Sequence, residues 1–140
     1  MDEPSRESAS TEKQSILIVE DDKFLHKILV SKFQKEGFDV RGAMDGEGAI
    51  QELMTFSPSV ILLDIILPKM NGFEVLWEIK SNPKTADIPV VILSNLSQEE
   101  DRRRAAEIGA LDFLVKADTS INDVVARVKD KYIKYLSQKH

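Results

Sequence analysis

Four apolar runs in this 140-residue chain end in residues able to do chemistry. Ile16-Leu17-Ile18-Val19 leads into Glu20-Asp21-Asp22, and Val60-Ile61-Leu62-Leu63 leads into Asp64. Val90-Val91-Ile92-Leu93 ends at Ser94, and Phe113-Leu114-Val115 ends at Lys116. If the runs are parallel strands of one sheet, these terminal residues crowd a single edge, the edge at which open α/β sheets bind ligands. Clustered acids there need a cation, because two like charges about 4 Å apart repel by about 4 kcal/mol at an effective dielectric near 20. Magnesium suits the set, being a hard ion that takes oxygen ligands from a few carboxylates, waters and a phosphate. A carboxylate attacks phosphorus poorly until both charges are neutralised, and a metal, a lysine and a hydroxyl together supply that neutralisation. The pattern therefore points to a divalent metal and a phosphoryl group carried on an aspartate.

The elements that must position these residues are legible between the runs. Phe24, Leu25, Ile28, Leu29 and Phe33 recur at helical spacing until Gly37 stops the helix, with Asp22 as its cap. Residues 38–43 read as a second strand. Asp45 caps a helix carrying Ala49, Ile50, Leu53 and Met54, although Gly46 and Gly48 weaken its first turn. A short helix from Gly72 carries Phe73, Leu76 and Ile79 and ends at Asn82-Pro83. Ser97 and Glu100, three apart, predict a capping box for a fourth helix that Gly109 closes. Ile121, Val124, Val125, Val128, Tyr132, Tyr135 and Leu136 form the apolar face of a long last helix, which leaves Ser137 to His140 beyond it. Five strands alternating with five helices imply βαβ units. Continuously apolar strands imply burial on both faces. The expected architecture is a three-layer α/β/α sandwich.

Composition bounds the rest. Apolar residues make up 42% and charged ones 31% of a chain long enough for one domain with a substantial core. Residues 1–14 are polar and acidic and read as a disordered leader before a domain spanning 15–140. The formal charge of −5 argues against nucleic-acid binding through this chain, since phosphate backbones demand a basic stripe. There is no cysteine, which excludes disulfides and thiolate chemistry. No run approaches the roughly 18 apolar residues of a membrane span, and a signal peptide's pattern is absent, so no membrane partner and a cytoplasmic location are expected.

Taken in order and at their spacing, the motifs resemble the receiver domain of two-component response regulators over residues 16–137. The carrying residues are Glu20-Asp21, Asp64 with Leu67-Pro68 and Met70-Asn71-Gly72 after it, Ser94, and Lys116. The resemblance implies a flavodoxin-like parallel sheet of order 2-1-3-4-5, the order the general rule for such sheets assigns to a regulator of this kind. It implies that Asp64 accepts a phosphoryl group from a sensor histidine kinase or a histidine phosphotransfer protein. It makes Asp21 and Asp64 ligands of Mg2+, Glu20 the holder of a metal-bound water, and the Ile66 carbonyl a further ligand. Lys116 would pair with Asp64 and then with a phosphoryl oxygen, Ser94 would swing to the phosphoryl group, and Phe113 occupies the aromatic switch position. A downstream protein target would bind the face of helix four, strand five and helix five. Arg102 with Asp123, and Asp112 with Arg127, match charged positions used for activated homodimers.

The sequence departs from that family after Lys116, where Ala117 replaces a proline whose peptide bond is cis; a cis bond without proline costs about 3–4 kcal/mol. Ile66 and Leu96 are apolar at positions flanking the reactive site. Two other functions compete. A phosphate-independent interaction module would keep the fold and lose the switch. An aspartate-dependent phosphatase would need a second acid two residues after Asp64, where Ile66 stands. The plainer readings are a surface position for His26, helix-edge packing for Trp77, and a solvated face for Arg102-Arg103-Arg104.

Overall fold

A computed structural model describes residues 14–139. Five strands and five α-helices alternate along the chain: β1 Ser15–Val19, α1 Lys23–Lys35, β2 Asp39–Ala43, α2 Gly46–Leu53, β3 Val60–Leu63, α3 Gly72–Ser81, β4 Val90–Ser94, α4 Glu99–Ile108, β5 Asp112–Val115 and α5 Ile121–Lys139. The strands form one parallel sheet of order β2-β1-β3-β4-β5, as expected. Residues 1–13, most of the expected leader, lie outside the described residues, while the Gln14 carbonyl accepts the Asp39 N–H at 2.8 Å.

Strand side chains alternate between two cores. Leu17, Val19, Ile61, Leu63, Ile92 and Val115 face α2, α3 and α4, where they pack with Ala49, Val75, Leu76, Ile79 and Ala105. Ile16, Ile18, Leu62, Val91 and Leu114 face α1 and α5 and pack with Leu29, Phe33, Val124 and Val128. Both faces of the sheet are therefore dry, which explains why the strands read as unbroken apolar runs. Phe33 and Phe38 meet edge to face at 5.2 Å where α1 turns into β2.

Helix starts follow the sequence with one exception. The Asp22 carboxylate accepts from the N–H groups of Phe24 and Leu25, and the Asp45 carboxylate accepts from Gly48 at 2.7 Å. Asn71 and Glu74 form a reciprocal capping box on α3 that the sequence reading passes over. The box predicted from Ser97 and Glu100 does not form: Gln98 is the capping residue, and its side chain makes no capping bond. Glu99, Glu100 and Asp101 in the first turn instead set negative charge against the positive end of the helix dipole. Gly109, at φ +131°, closes α4 in backbone space that a side chain disfavours.

The last helix runs through Lys139, so Ser137 and Gln138 belong to it rather than trailing after it. Its Tyr135 hydroxyl donates to the Asp87 carbonyl in the loop after α3. That contact extends the helix along the apolar stripe already set by Val128 and Tyr132. Among the described residues, no helix is long and apolar enough to cross a membrane.

Candidate functional site

Parallel register fixes the site. Val19 of β1 pairs with Leu63 of β3, so the next residues, Glu20 and Asp64, leave the sheet side by side. The Asp64 N–H continues the ladder to the Val19 carbonyl at 3.0 Å. Ser94 of β4 pairs with Val115 of β5, which brings Lys116 to the same edge. The Lys116 ammonium donates to Asp64 Oδ2 at 2.8 Å and lies 2.9 Å from Glu20 Oε1. The second oxygen of each acid is also engaged, Asp64 Oδ1 by the Ile66 N–H at 3.1 Å and Glu20 Oε2 by the Asp22 N–H at 3.0 Å. The Lys116–Ala117 bond is trans, as are all other peptide bonds of the described residues. The lysine reaches both acids without the family's cis turn.

Glu20 and Asp64 are only 2% and 3% exposed, whereas Asp21 stands in solvent. Carboxylate oxygens of Glu20, Asp21 and Asp64 lie within 4.8 Å of one another. Three hard oxygen donors at one point fit a divalent cation of the magnesium type and offer nothing to a soft metal. Burial, followed in the same direction by the charge of Asp64, pushes the Glu20 carboxyl above its usual range against the pull of Lys116 and the Asp22 N–H. Burial alone would lower the Lys116 pKa. Its hydrogen bonds to Asp64 and Glu20, with their charges, outweigh that and raise it.

A cavity of about 360 Å³ opens on this cluster, lined by Glu20, Asp21, Asp22, Asp64, Ile66, Asn95 and Lys116. Ser94 does not line it. Ser94 is fully buried, and its Oγ accepts the Leu96 N–H at 3.4 Å. Leu96, expected beside the site, packs instead against the core under α2, α3 and α4. Ile66 is at the cavity and 54% exposed. Phe113 is buried, and the Arg102 guanidinium lies 5.3 Å from its ring and donates to its carbonyl at 3.3 Å.

Several residues do more than their sequence context suggested. His26 is half-buried rather than on the surface, and its Nδ1 donates to the Glu20 carbonyl at 2.9 Å. Its ring fills the space that a Cβ on Gly42 would need, 2.4 Å away. A helix residue and an edge strand thus brace the backbone that carries the first acid; only the i, i+6 separation from Glu20 could have hinted at it. The three arginines are exposed, as expected of a solvated face, and two of them also lie over rings of neighbouring elements, Arg104 over Phe73 at 4.1 Å and Arg102 over Phe113. Arg102 makes no pair with Asp123, whereas Asp112 and Arg127 pair within the chain at 2.8 Å. Trp77 is 60% exposed, on a groove between α3 and α4.

A doubly covered parallel sheet with buried acids and a lysine converging at its carboxyl edge belongs to the class of doubly wound α/β sandwiches that bind ligands at that edge. Residues 16–129 match the family described as the response regulator receiver domain, and the chain belongs to that family. It is 34% identical over 114 residues to the DNA-binding dual master transcriptional regulator RpaA of Synechocystis sp., covering 81% of this chain and 47% of that protein. It is 33% identical over 118 residues to the probable transcriptional regulator ycf27 of Porphyridium aerugineum, covering 84% and 48%. The receiver domain of the Francisella response regulator 1452 superposes with a TM-score of 0.79 at 29% identity, over 87% of this chain and 98% of that one. The chain spans about half the length of the curated relatives it matches.

These relatives correct the expected partners. Nucleic acid was excluded on charge, yet the relatives are transcriptional regulators and one is described as DNA-binding. A net charge describes the residues over which it is counted. It carries no information about a DNA contact made elsewhere in a protein twice as long, and the exclusion is withdrawn.

Proposed function

We propose that this receiver domain is a phosphoacceptor switch in which Asp64 takes a phosphoryl group from a histidine kinase or a histidine phosphotransfer protein. The observation that carries this reading is the Lys116 bridge at 2.8 and 2.9 Å to two buried acids beside a third. Such a cluster is costly to bury and is placed where a phosphoryl oxygen can replace one carboxylate as the partner of the ammonium. An Asp64 oxygen attacks phosphorus as the donor's bond to phosphorus breaks. Lys116 then holds the new charge, Ser94 turns toward the phosphoryl group, and Phe113, already buried, is the aromatic residue that responds to that turn. Asp21, Asp64, the Ile66 carbonyl and, through water, Glu20 would hold Mg2+, which supplies charge neutralisation when bound. The domain thereby assists its own phosphorylation and dephosphorylation, and the face of α4, β5 and α5 carries the output. A cytoplasmic site of action belongs to the same reading.

Incubation with a small phosphodonor and Mg2+, followed by intact-mass measurement, tests it. A stable added phosphoryl mass is expected, against continuous turnover for a phosphatase and no mass for an inert module. Metal binding has a separate readout. Ligands that bind only the folded state raise its stability as the logarithm of concentration over Kd. Millimolar MgCl2 is expected to raise the melting temperature by a few degrees, and Asp21→Asn to remove most of that shift, while NaCl of matched ionic strength reproduces none of it.

Ile66 sets a further expectation. Its exposed apolar side chain at the cavity gives an attacking water no hydrogen bond, so the phosphorylated state is expected to be long-lived. Ile66→Asn, which introduces a polar group there, is expected to shorten the lifetime severalfold when loss of phosphoryl mass is followed after donor removal. Equal lifetimes would defeat the idea.

A further inference from the structure

We infer that the groove between α3 and α4 is a self-pairing surface, on which a second copy of this chain docks about a two-fold axis running along the groove. The groove encloses about 380 Å³ and lies on the face of the sheet opposite α1 and α5. Its apolar lining is the buried Phe73, the half-buried Met70 and Ile108, and Trp77, which stands 60% exposed. A rigid, amphipathic ring left this open is the kind of side chain that anchors protein contacts. The charged lining is divided by wall, with Glu74 and Glu78 on α3 and Arg104 on α4. Among the described residues, the Trp77 indole N–H and the Glu78 carboxylate have no partner, and Arg104 makes no ion pair and lies over the Phe73 ring at 4.1 Å.

That division of charge selects the occupant. Both helices connect parallel strands of one sheet, so α3 and α4 run side by side in the same direction. A two-fold axis along the groove preserves that direction and exchanges the walls, so α3 of each copy meets α4 of the other. The acids then face an arginine twice over, and each Trp77 closes on the groove of its mate. A uniformly acidic or uniformly basic partner would be repelled by one wall. The hollow on α1 makes the contrast: Lys27, Lys32 and Lys35 line it with a single sign and would repel a second copy. The α4, β5 and α5 face is not used here, and its Asp112 and Arg127 already satisfy each other at 2.8 Å. Two ten-residue helices, each roughly 15 Å long, offer less than the roughly 800 Å² per partner of a standard interface. The pairing is therefore reversible and set by concentration.

Trp77 is the chain's single tryptophan, so its emission reports on the groove directly. The test follows sedimentation velocity and tryptophan emission of the full chain at low salt, from low to high micromolar concentration. A monomer–dimer equilibrium is expected, with emission moving to shorter wavelength as the dimer fills and association weakening in NaCl. Glu78→Arg and Arg104→Glu are each expected to raise the dissociation constant about tenfold, because a two-fold contact counts every change twice. Trp77→Ala, followed by sedimentation alone, is expected to do the same. An equimolar mixture of Glu78→Arg with Arg104→Glu is expected to regain wild-type association, since each altered residue then meets the opposite charge across both contacts. A monomer at every concentration overturns the pairing. A dimer that leaves the emission unmoved or survives Trp77→Ala uses another face and overturns it too, as does a mixture no tighter than either variant alone. No phosphoryl group is present in these measurements, so their outcome is independent of the role of Asp64.

Discussion

Asp64→Asn is expected to take up no phosphoryl group from a small donor under conditions that label wild type, a loss limited only by the detection floor of the mass measurement. The amide oxygen that replaces the nucleophile carries no charge and is far less basic, so the bond to phosphorus has no partner. The substitution is close to isosteric, and the retained Oδ1 can still accept the Ile66 N–H that the carboxylate accepts at 3.1 Å. Lys116 keeps its contact with Glu20 at 2.9 Å, so the ammonium remains paired after one partner is neutralised. Removing one of two neighbouring buried acids also relieves their repulsion, which contributes to the raised pKa of Glu20. The variant should therefore fold with wild-type circular dichroism while losing all labelling. That combination separates a chemical role from a structural one. Persisting label would place the phosphoryl group on another residue and would undo the assignment of Asp64.

Gly72→Ala is expected to be the most damaging single-methyl change in the molecule. A Cβ at Gly72 would stand 2.3 Å from the Asp64 carbonyl oxygen and 2.4 Å from the Ile65 Cα. Both neighbours are backbone, so no side chain can swing aside. The Gly72 N–H also donates to the Ile65 carbonyl at 2.7 Å, which pins the first turn of α3 against the exit of β3. Relief requires α3 to shift off the strand, and the strand end that must give is the one carrying Asp64. Overpacking of this kind costs about 3 kcal/mol, the upper part of its usual range. For a domain of this size that is roughly a ten-degree fall in Tm, which urea and thermal unfolding would register. Because the distortion falls on Asp64, the Mg2+-induced stabilisation should shrink as well. A variant as stable as wild type would mean that the close approach of helix and strand is not maintained in solution.

Most of the architecture was legible because it depends on properties that a linear chain displays. Strands buried on both faces show as unbroken runs of Val, Ile and Leu, and a parallel sheet then brings their last residues to one edge. That logic alone placed Glu20, Asp64 and Lys116 together. Asp22 and Asp45 were readable as caps because each precedes an apolar helical period. Ser97 met the same rule and failed it: Gln98 is the capping residue, and the three acids that begin two residues after Ser97 set negative charge against the helix dipole. Asn95 was missed since Ser94 is the residue with the suggestive chemistry; which of two consecutive side chains faces a cavity depends on the pleat at the end of the strand, and the motif does not encode it. The half-buried place of His26 and the ring contacts of Arg102 and Arg104 were not legible for a related reason. Their partners, the Glu20 carbonyl, the Gly42 Cα and the rings of Phe73 and Phe113, are neighbours in space set by packing. Charge misled in a different way, since a count over one span was applied to partners of longer proteins.

The thin attachment of α4 has a consequence of its own. α3 buries five residues against the sheet, but α4 buries only Ala105, starts without a side-chain cap, and is held at its flanks by two guanidinium stacks. With one fully buried residue and no side-chain cap, this helix is held to the sheet by fewer buried side chains than α3 is. A shift of register or tilt there can proceed while both cores stay closed, which makes α4 the natural place for a chemical event at the sheet edge to become a change of shape.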